Sequence, residues 1–213
     1  MLHVVGDSHS IIWSGNIFQN WDGNHKFPNV RVHHIGPLLG YHLWGENTIG
    51  KWGKKVIDLL DTLPNISALG LSFGEIDVRM KAIKFSQNNT LRESCEIIAC
   101  RIINFCAILR MQYDFPIFIM APIASGLNGE NGVGNLFERN LATLYFNNYL
   151  KTERFSIKDL YVISIAEQLM TSNLITKTQY YSDNVHLNLE GFKLLAEEFN
   201  KIAEENKIKN PAF

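Results

Sequence analysis

Two short stretches at opposite ends of the chain carry side chains whose types and spacing could do covalent chemistry. Near the start, apolar Leu2, Val4 and Val5 run into Gly6-Asp7-Ser8. This is the pattern of a buried strand broken where a helical segment can follow from near Ile11. A serine at a strand's carboxyl end sits where open α/β sheets bind ligands, with backbone NH groups of the next helix pointing past it. Ser8 is therefore placed to act as a nucleophile, provided a base removes its proton. Near the end, Tyr180-Tyr-Ser-Asp-Asn-Val-His-Leu-Asn188 offers that base. Asp183 and His186 are three residues apart, so one tight turn supplies both an imidazole and a carboxylate to fix its tautomer and steady the imidazolium. Taken alone, Asp-x-x-His also reads as a helix cap with an incidental histidine, and Gly-Asp-Ser is as unspecific.

Together and in this order, the blocks resemble the SGNH hydrolases, also called the GDSL family, over almost the whole chain. Gly6-Asp7-Ser8 matches the nucleophile block, Gly36 the second, Gly74-Glu75-Ile76-Asp77 the third and Asp183-Asn184-Val185-His186 the last. The resemblance implies Ser8 as nucleophile, His186 as base, Asp183 as its orienter, and an oxyanion hole from the backbone NH groups of Ser8 and Gly36. The family's third block normally reads Gly-x-Asn-Asp, and its asparagine amide completes the hole. Here Glu75 holds the second place and Ile76 stands where asparagine would be. An ionised carboxylate offers no hydrogen to an oxyanion, so Glu75 joins the hole only if it is protonated. Losing one oxyanion donor costs about a hundredfold to a thousandfold in rate. The expected arrangement pairs Arg79 with Glu75 and leaves the two backbone NH groups to do most of the stabilising.

The elements that must position these groups follow from the hydrophobic pattern. Val30, Val32 and Ile35 give a second strand ended by Gly36-Pro37, and 68–73 a third that delivers Glu75, Asp77 and Arg79 to the same edge. The segment 116–121 is a fourth strand and 160–165 a fifth. Helices are expected over 11–20, over 49–63, where Pro64-Asn65 stops the periodic run, and over 90–113. Further helices fall over 136–150 with Leu141 and Leu144 inward, near 166–171, and after an Asn188 cap with Phe192, Leu195, Ala196, Phe199 and Ile202 inward. Strands alternating with helices give a parallel five-stranded sheet covered on both faces, a three-layer α/β/α sandwich. The flavodoxin-like strand order 2-1-3-4-5 is what the resemblance implies. The run 125–134 holds four glycines in ten residues without the phosphate-loop signature, and reads as a mobile loop beside the active edge.

Composition bounds the function classes. A chain of 213 residues with 46% hydrophobic and 19% charged residues suits one domain over 1–213 with a real core, and a net charge of −1 gives no field to gather nucleic acid. No apolar run approaches the roughly 18 to 20 residues of a membrane span, and the start of the chain lacks a leader pattern, so the expected location is cytoplasmic. Cys95, Cys100 and Cys106 lie on one expected helix without metal-type spacing. His33 and His34, adjacent on a strand, point to opposite faces. No metal site and no cofactor are expected.

The chemistry these features support is acyl transfer through a serine acyl-enzyme, hydrolytic if water accepts the acyl group. Short acyl esters on a small molecule or carbohydrate are the expected substrates, with Asp7, Asp77, Arg79 and Tyr181 as candidate contacts and Trp13, Trp44, Tyr180 and Tyr181 as candidate sugar-stacking rings. Two alternatives stand beside this: an O-acyltransferase of polysaccharide biosynthesis, and a catalytically idle domain that binds a sugar or protein partner. A dinucleotide binder is weaker, because the first turn lacks Gly-x-Gly-x-x-Gly.

Overall fold

The computed structural model describes residues 1–126 and 132–208. Its centre is a five-stranded, wholly parallel sheet in the order β2-β1-β3-β4-β5. The strands are β1 (Leu2–Gly6), β2 (Val30–His34), β3 (Ala68–Ser72), β4 (Ile117–Met120) and β5 (Leu160–Ile163). Each sends alternate side chains to opposite faces, and that alternation sorts the core into two layers. Val5, Leu69, Leu71, Ile117, Ile119, Leu160 and Val162 meet α1 (Lys51–Leu60), α4 (Leu91–Gln112) and α5 (Leu136–Glu153) on one face. Leu2, Val4, Phe118, Met120, Tyr161 and Ile163 meet a 3-10 helix (Ser8–Ser14) and α6 (Leu189–Glu205) on the other. On that second face Trp13 is fully buried between Phe192 and Phe199, edge-on to both. Two short helical turns, α2 (Glu75–Asp77) and α3 (Ile83–Phe85), are joined by a π-helical turn over Val78–Ala82 and follow β3 directly.

Several elements differ from the sequence expectation. The helix expected over 11–20 is instead the 3-10 helix from Ser8, which Gly15 ends with φ 84°, followed by a short 3-10 turn at Phe18–Asn20. The run 49–63 is helical only over α1, and β5 stops at Ile163. No helix forms near 166–171. That stretch folds back on itself through an antiparallel bridge between Met170 and Thr176 and a Lys177 N–H bond to the Leu169 carbonyl. On α6, Ala196 and Ile202 are half-buried, while Gly191 and Ala203 take inward positions. Of the expected glycine-rich loop, residues 127–131 lie outside the described residues, as does 209–213 of the tail.

On α5 the inward face is part apolar, through Ala142, Phe146 and Leu150, and part polar. Leu141 and Leu144 are half-buried, whereas Arg139, Asn140, Thr143 and Asn147 are buried. Buried backbone groups need partners, and these side chains serve the segment after β4. Asn140 accepts from the Ser125 N–H at 2.8 Å, Asn147 donates to the Pro122 carbonyl at 2.8 Å, and Arg139 donates to Ser125 Oγ at 2.9 Å.

Cys95 and Cys106 are buried on α4 and Cys100 is half-buried. Among the described residues no three His, Cys, Asp or Glu side chains are grouped to hold a metal ion, and no helix is long and apolar enough to cross a membrane.

Gly6, the last residue of β1, is a close-packed link between sheet and site. A Cβ there would collide with the Ser72 carbonyl and lie 2.7 Å from Ser72 Cβ on the neighbouring strand. Gly6→Ala is expected to cost about 1–3 kcal/mol of stability through overpacking. Thermal denaturation reads this as a fall of roughly 2–4 °C per kcal/mol. An unchanged midpoint would show that β1 and β3 separate freely.

Candidate active site

The sheet order sets the geometry. β1 lies between β2 and β3, so its carboxyl end opens into the crevice beside the crossover point where open α/β sheets bind ligands. Asp7 leaves that end and caps the 3-10 helix by accepting from the His9 N–H at 2.9 Å. Ser8 opens the helix, so its own N–H has no acceptor within the helix. The register pairs Gly6 with His34, and the Ile35 N–H bonds the Gly6 carbonyl at 3.0 Å. Gly36 follows at the same carboxyl edge, two residues beyond the end of β2. Gly36 has φ 98° with open space above its Cα, a backbone that approaches a ligand only because it lacks a side chain.

His186 reaches this edge from the loop before α6. Its Nε2 lies 2.8 Å from Ser8 Oγ, and its Nδ1 lies 2.8 Å from Asp183 Oδ2. The other Asp183 oxygen, Oδ1, accepts the Val185 and His186 N–H groups, each at 2.6 Å, closing the tight turn. These bonds hold Asp183 below its ordinary value against the upward push of its burial. An ionised Asp183 only accepts, so the proton sits on His186 Nδ1 and Nε2 is free to accept from the Ser8 hydroxyl. The structure thus brings Ser8, His186 and Asp183 into one relay.

Two residues of the short 3-10 turn hold the relay from outside. Phe18 stacks on the His186 ring at 4.2 Å and 18°, and Gln19 Nε2 donates to Asp183 Oδ2 at 2.5 Å. Gln19 had no signal in the sequence: it is a polar residue in a turn, meeting Asp183 across 164 positions.

Glu75 is buried and ionised. Its burial favours the neutral form, but the charge of His9 and the hydrogen bonds and charge of Arg79 outweigh that and hold it down at about 2. Arg79 Nε donates to Oε1 at 2.7 Å, and His9 Nε2 faces Oε2 at 3.3 Å. The His9 contact lacks hydrogen-bond alignment, so it acts chiefly through charge. Glu75 therefore has no proton to give an oxyanion, which removes it from the expected hole. The pairing of Arg79 with Glu75 is as the sequence led us to expect.

The candidate substrate contacts separate. Asp7 lines the pocket with Ser8, His9, Ile12, Phe18 and His186, and burial, with Glu75 beside it, pushes its carboxyl up to about 6 against the opposing pull of His9. Asp77 is fully buried, outside the pocket, accepting from the Gly40 N–H at 2.6 Å and the Tyr41 N–H at 3.0 Å. Tyr181 is half-buried and spends its hydroxyl on the Ala124 carbonyl at 2.5 Å. Among the expected sugar-stacking rings, Trp13 belongs to the core, and Trp44 borders a separate hollow with Trp52 and Arg101. Apolar lining comes instead from Ile12, Met120, Ile123, Leu187 and Leu195.

His9 is the residue that sequence reasoning passed over. Its side chain is 12% exposed, it lines the pocket, and its ring lies 5.0 Å from that of His186. Burial alone would lower its value, but Glu75 and then Asp7 outweigh that and raise it, whereas His186 is lowered by burial and by His9 despite Asp183. The signal was legible: a histidine directly after the candidate nucleophile, with an acid and an arginine on the adjoining edge.

No protein-family model and no curated protein sequence matches the chain. Solved structures do. An acetylxylan esterase from Geobacillus stearothermophilus, in a catalytic-mutant form, aligns with TM-score 0.56 at 14% identity over 94% of this chain and 92% of its own. The acetyl xylan esterase AlAXEase aligns with TM-score 0.54 at 13% identity, over 95% and 99%. An alpha/beta hydrolase from the metagenome of Lake Arreo, Spain, aligns with TM-score 0.54 at 15% identity, over 93% and 92%.

The pKa directions predict opposite histidine titrations. In NMR of the side-chain nitrogens, His9 is expected to titrate above 6.5 and His186 below it. Stability from the His9–Glu75 pair is full below the unfolded histidine value and is lost as pH rises through the folded value of His9. Its acid side holds above the ordinary Glu75 value and is lost as pH falls toward about 2. Coincident titration of both rings would contradict the charge assignment. At these identities the likeness is one of fold, and the chain has the three-layer α/β/α fold of the SGNH hydrolases.

Proposed function

We propose that the protein is a serine esterase that hydrolyses short-chain acyl esters, with O-acetyl groups on carbohydrate as the favoured substrate class. The observation that carries this reading is the relay in which Asp183, His186 and Ser8 meet through two contacts of 2.8 Å.

Ser8 Oγ attacks the ester carbonyl carbon as its proton passes to His186 Nε2, and the carbonyl π electrons move to oxygen. The tetrahedral oxyanion faces the backbone N–H groups of Ser8 and Gly36. It collapses to the Ser8 acyl ester, and the departing alkoxide takes the proton from His186. Water then attacks the acyl-enzyme, gives its proton to His186, and collapse releases the acid and restores Ser8. Asp183 holds the ring throughout and steadies its charge.

The pocket supports a small acyl group. It is walled by Ile12, Met120, Ile123, Leu187 and Leu195 and encloses about 30 Å³ of free space, room for one or two water-sized groups. Two of the solved structures with this fold carry the acetylxylan esterase description, which agrees with an acetyl substrate.

The test is turnover of p-nitrophenyl acetate together with labelling by a fluorophosphonate. The native protein is expected to hydrolyse acetyl at least about tenfold faster than octanoyl esters. Ser8→Ala is expected to lose both label and turnover. Asp183→Asn, which leaves the ring in the wrong tautomer, should lower kcat on the order of 10³–10⁴-fold. Labelling that survives Ser8→Ala, or no turnover of any acyl ester by the native protein, would overturn the esterase reading.

A further inference from the structure

The relay accounts for the nucleophile and its base but leaves the developing oxyanion with few donors. Removing one such donor costs about a hundredfold to a thousandfold in rate, so an esterase lacking one is expected to hold a substitute. Ile76 has no polar atom, and Glu75 is an ionised acceptor. Among the described side chains that line the pocket, Trp13, Ser72 and His9 remain as N–H or O–H donors beyond the reacting pair. Trp13 is sealed in the core at 0% exposure, and Ser72 is a neutral hydroxyl on β3, packed against Gly6. His9 alone can bring a charge.

Its surroundings favour that charge. Nε2 is turned to the Glu75 carboxylate at 3.3 Å, and Asp7 accepts from its backbone N–H. Two nitrogens lie on opposite edges of an imidazole, so Nε2 on Glu75 leaves the Nδ1 edge for other partners. His9 follows Ser8 in the first turn of the 3-10 helix, both line the same pocket, and the His9 ring lies 5.0 Å from that of His186. A hydrogen bond to a charged group is roughly twice as strong as a neutral one, and in a desolvated pocket a fixed charge is stronger still.

We infer that His9 is a catalytic residue of the proposed esterase: an imidazolium anchored by Glu75 that presents Nδ1–H to the oxyanion in place of a side-chain amide. No proton is transferred; His9 donates a hydrogen bond to the negative oxygen and keeps its charge. The inference rests on the esterase reading. The groups that set the charge are Glu75 after β3 and Asp7 at the helix cap, which favour it, and Arg79, which opposes it; the ring of His186, from the loop before α6, lies alongside.

Two protonation states must then coexist, with His186 neutral and His9 charged. The rate should rise with pH as His186 loses its proton and fall again as His9 loses its own. The deciding measurement is kcat and KM for p-nitrophenyl acetate against pH, with the Ser8→Ala rate subtracted. In the native protein a fall on the alkaline side is expected, and a flat alkaline profile overturns the inference. His9→Leu should lower kcat on the order of 100-fold or more, move KM by no more than about threefold, and abolish the alkaline fall. His9→Gln, which keeps a neutral donor, should recover part of the rate. Glu75→Gln leaves His9 in place but removes its counter-charge, so the alkaline fall should move to lower pH. That shift is one that mere loss of packing would not produce. A native protein that turns over substrate while folded His9→Leu keeps kcat within about threefold sinks this inference and spares the esterase reading. A native protein without Ser8-dependent turnover sinks both.

Discussion

The contact between Ser8 Oγ and His186 Nε2 joins groups 178 residues apart, and the rest of the structure can be understood as what is needed to make it. A hydrogen bond of this kind contributes only about a kcal/mol net, far less than the entropy of bringing two such distant segments together. The contact is therefore a result of the fold. The first face of the sheet is closed by α1, α4 and α5, and the second by the 3-10 helix and α6. Trp13, wedged between Phe192 and Phe199, joins the helix that begins at Ser8 to the helix that begins just after His186. Burying such large rings stabilises by several kcal/mol, and it is this apolar packing that holds the two polar ends in register.

Around the contact the electrostatics are balanced. Asp7 and Glu75 set two negative charges against the positive charges of His9 and Arg79, with Glu75 in contact with both cations. Buried charges cost several kcal/mol each unless paired, and the pairing explains why Glu75 stays ionised where burial alone would protonate it. Asp7 lies at the other limit. Its Oδ2 has no hydrogen-bond partner among the described residues, and its carboxyl is driven up to about 6. For His186, burial and the neighbouring His9 outweigh Asp183 and keep the ring neutral at lower pH. A cation beside a base in this way keeps it in accepting form, at the expense of some basicity.

The parallel sheet, its edge and the two stretches that meet at Ser8 and His186 were legible in the sequence because each rests on local regularities: apolar runs, a glycine at the end of each of the first three strands, an acid three residues before a histidine. Boundaries were legible where a capping pair marked them, as at Thr90 with Glu93 ahead of α4. What was not legible depends on partners distant in sequence. The inward face of α5 reads as leucine at positions 141 and 144, yet the backbone of 122–125 demands amides, so Asn140 and Asn147 turn inward. Periodicity carries no information about which carbonyls a loop elsewhere will leave unpaired. Gln19 meets Asp183 for the same reason, and Trp44 was misplaced because a strand-end loop can turn away from the edge that launches it.

The third block shows why one motif can be half changed without the fold changing. Its aspartate is a scaffold element: Asp77, fully buried, ties the 3-10 turn at Gly40–His42 to the segment after β3 through two backbone N–H groups. Those bonds lie beneath the edge and do not depend on what reacts above it. The preceding position has no such duty, and Ile76 there is half-buried. A side chain that pins no backbone group can be exchanged without leaving buried groups unpaired. A side chain that pins a loop cannot, because removing it leaves two buried donors unsatisfied, at about 1–3 kcal/mol each. The same reasoning applies one residue earlier, where Glu75 fixes Arg79 and His9 at once. In this chain, then, the turn after β3 divides its two acids: Asp77 lies outside the pocket and holds a loop by its backbone, and Glu75 lines the pocket and pairs with the cations beside it.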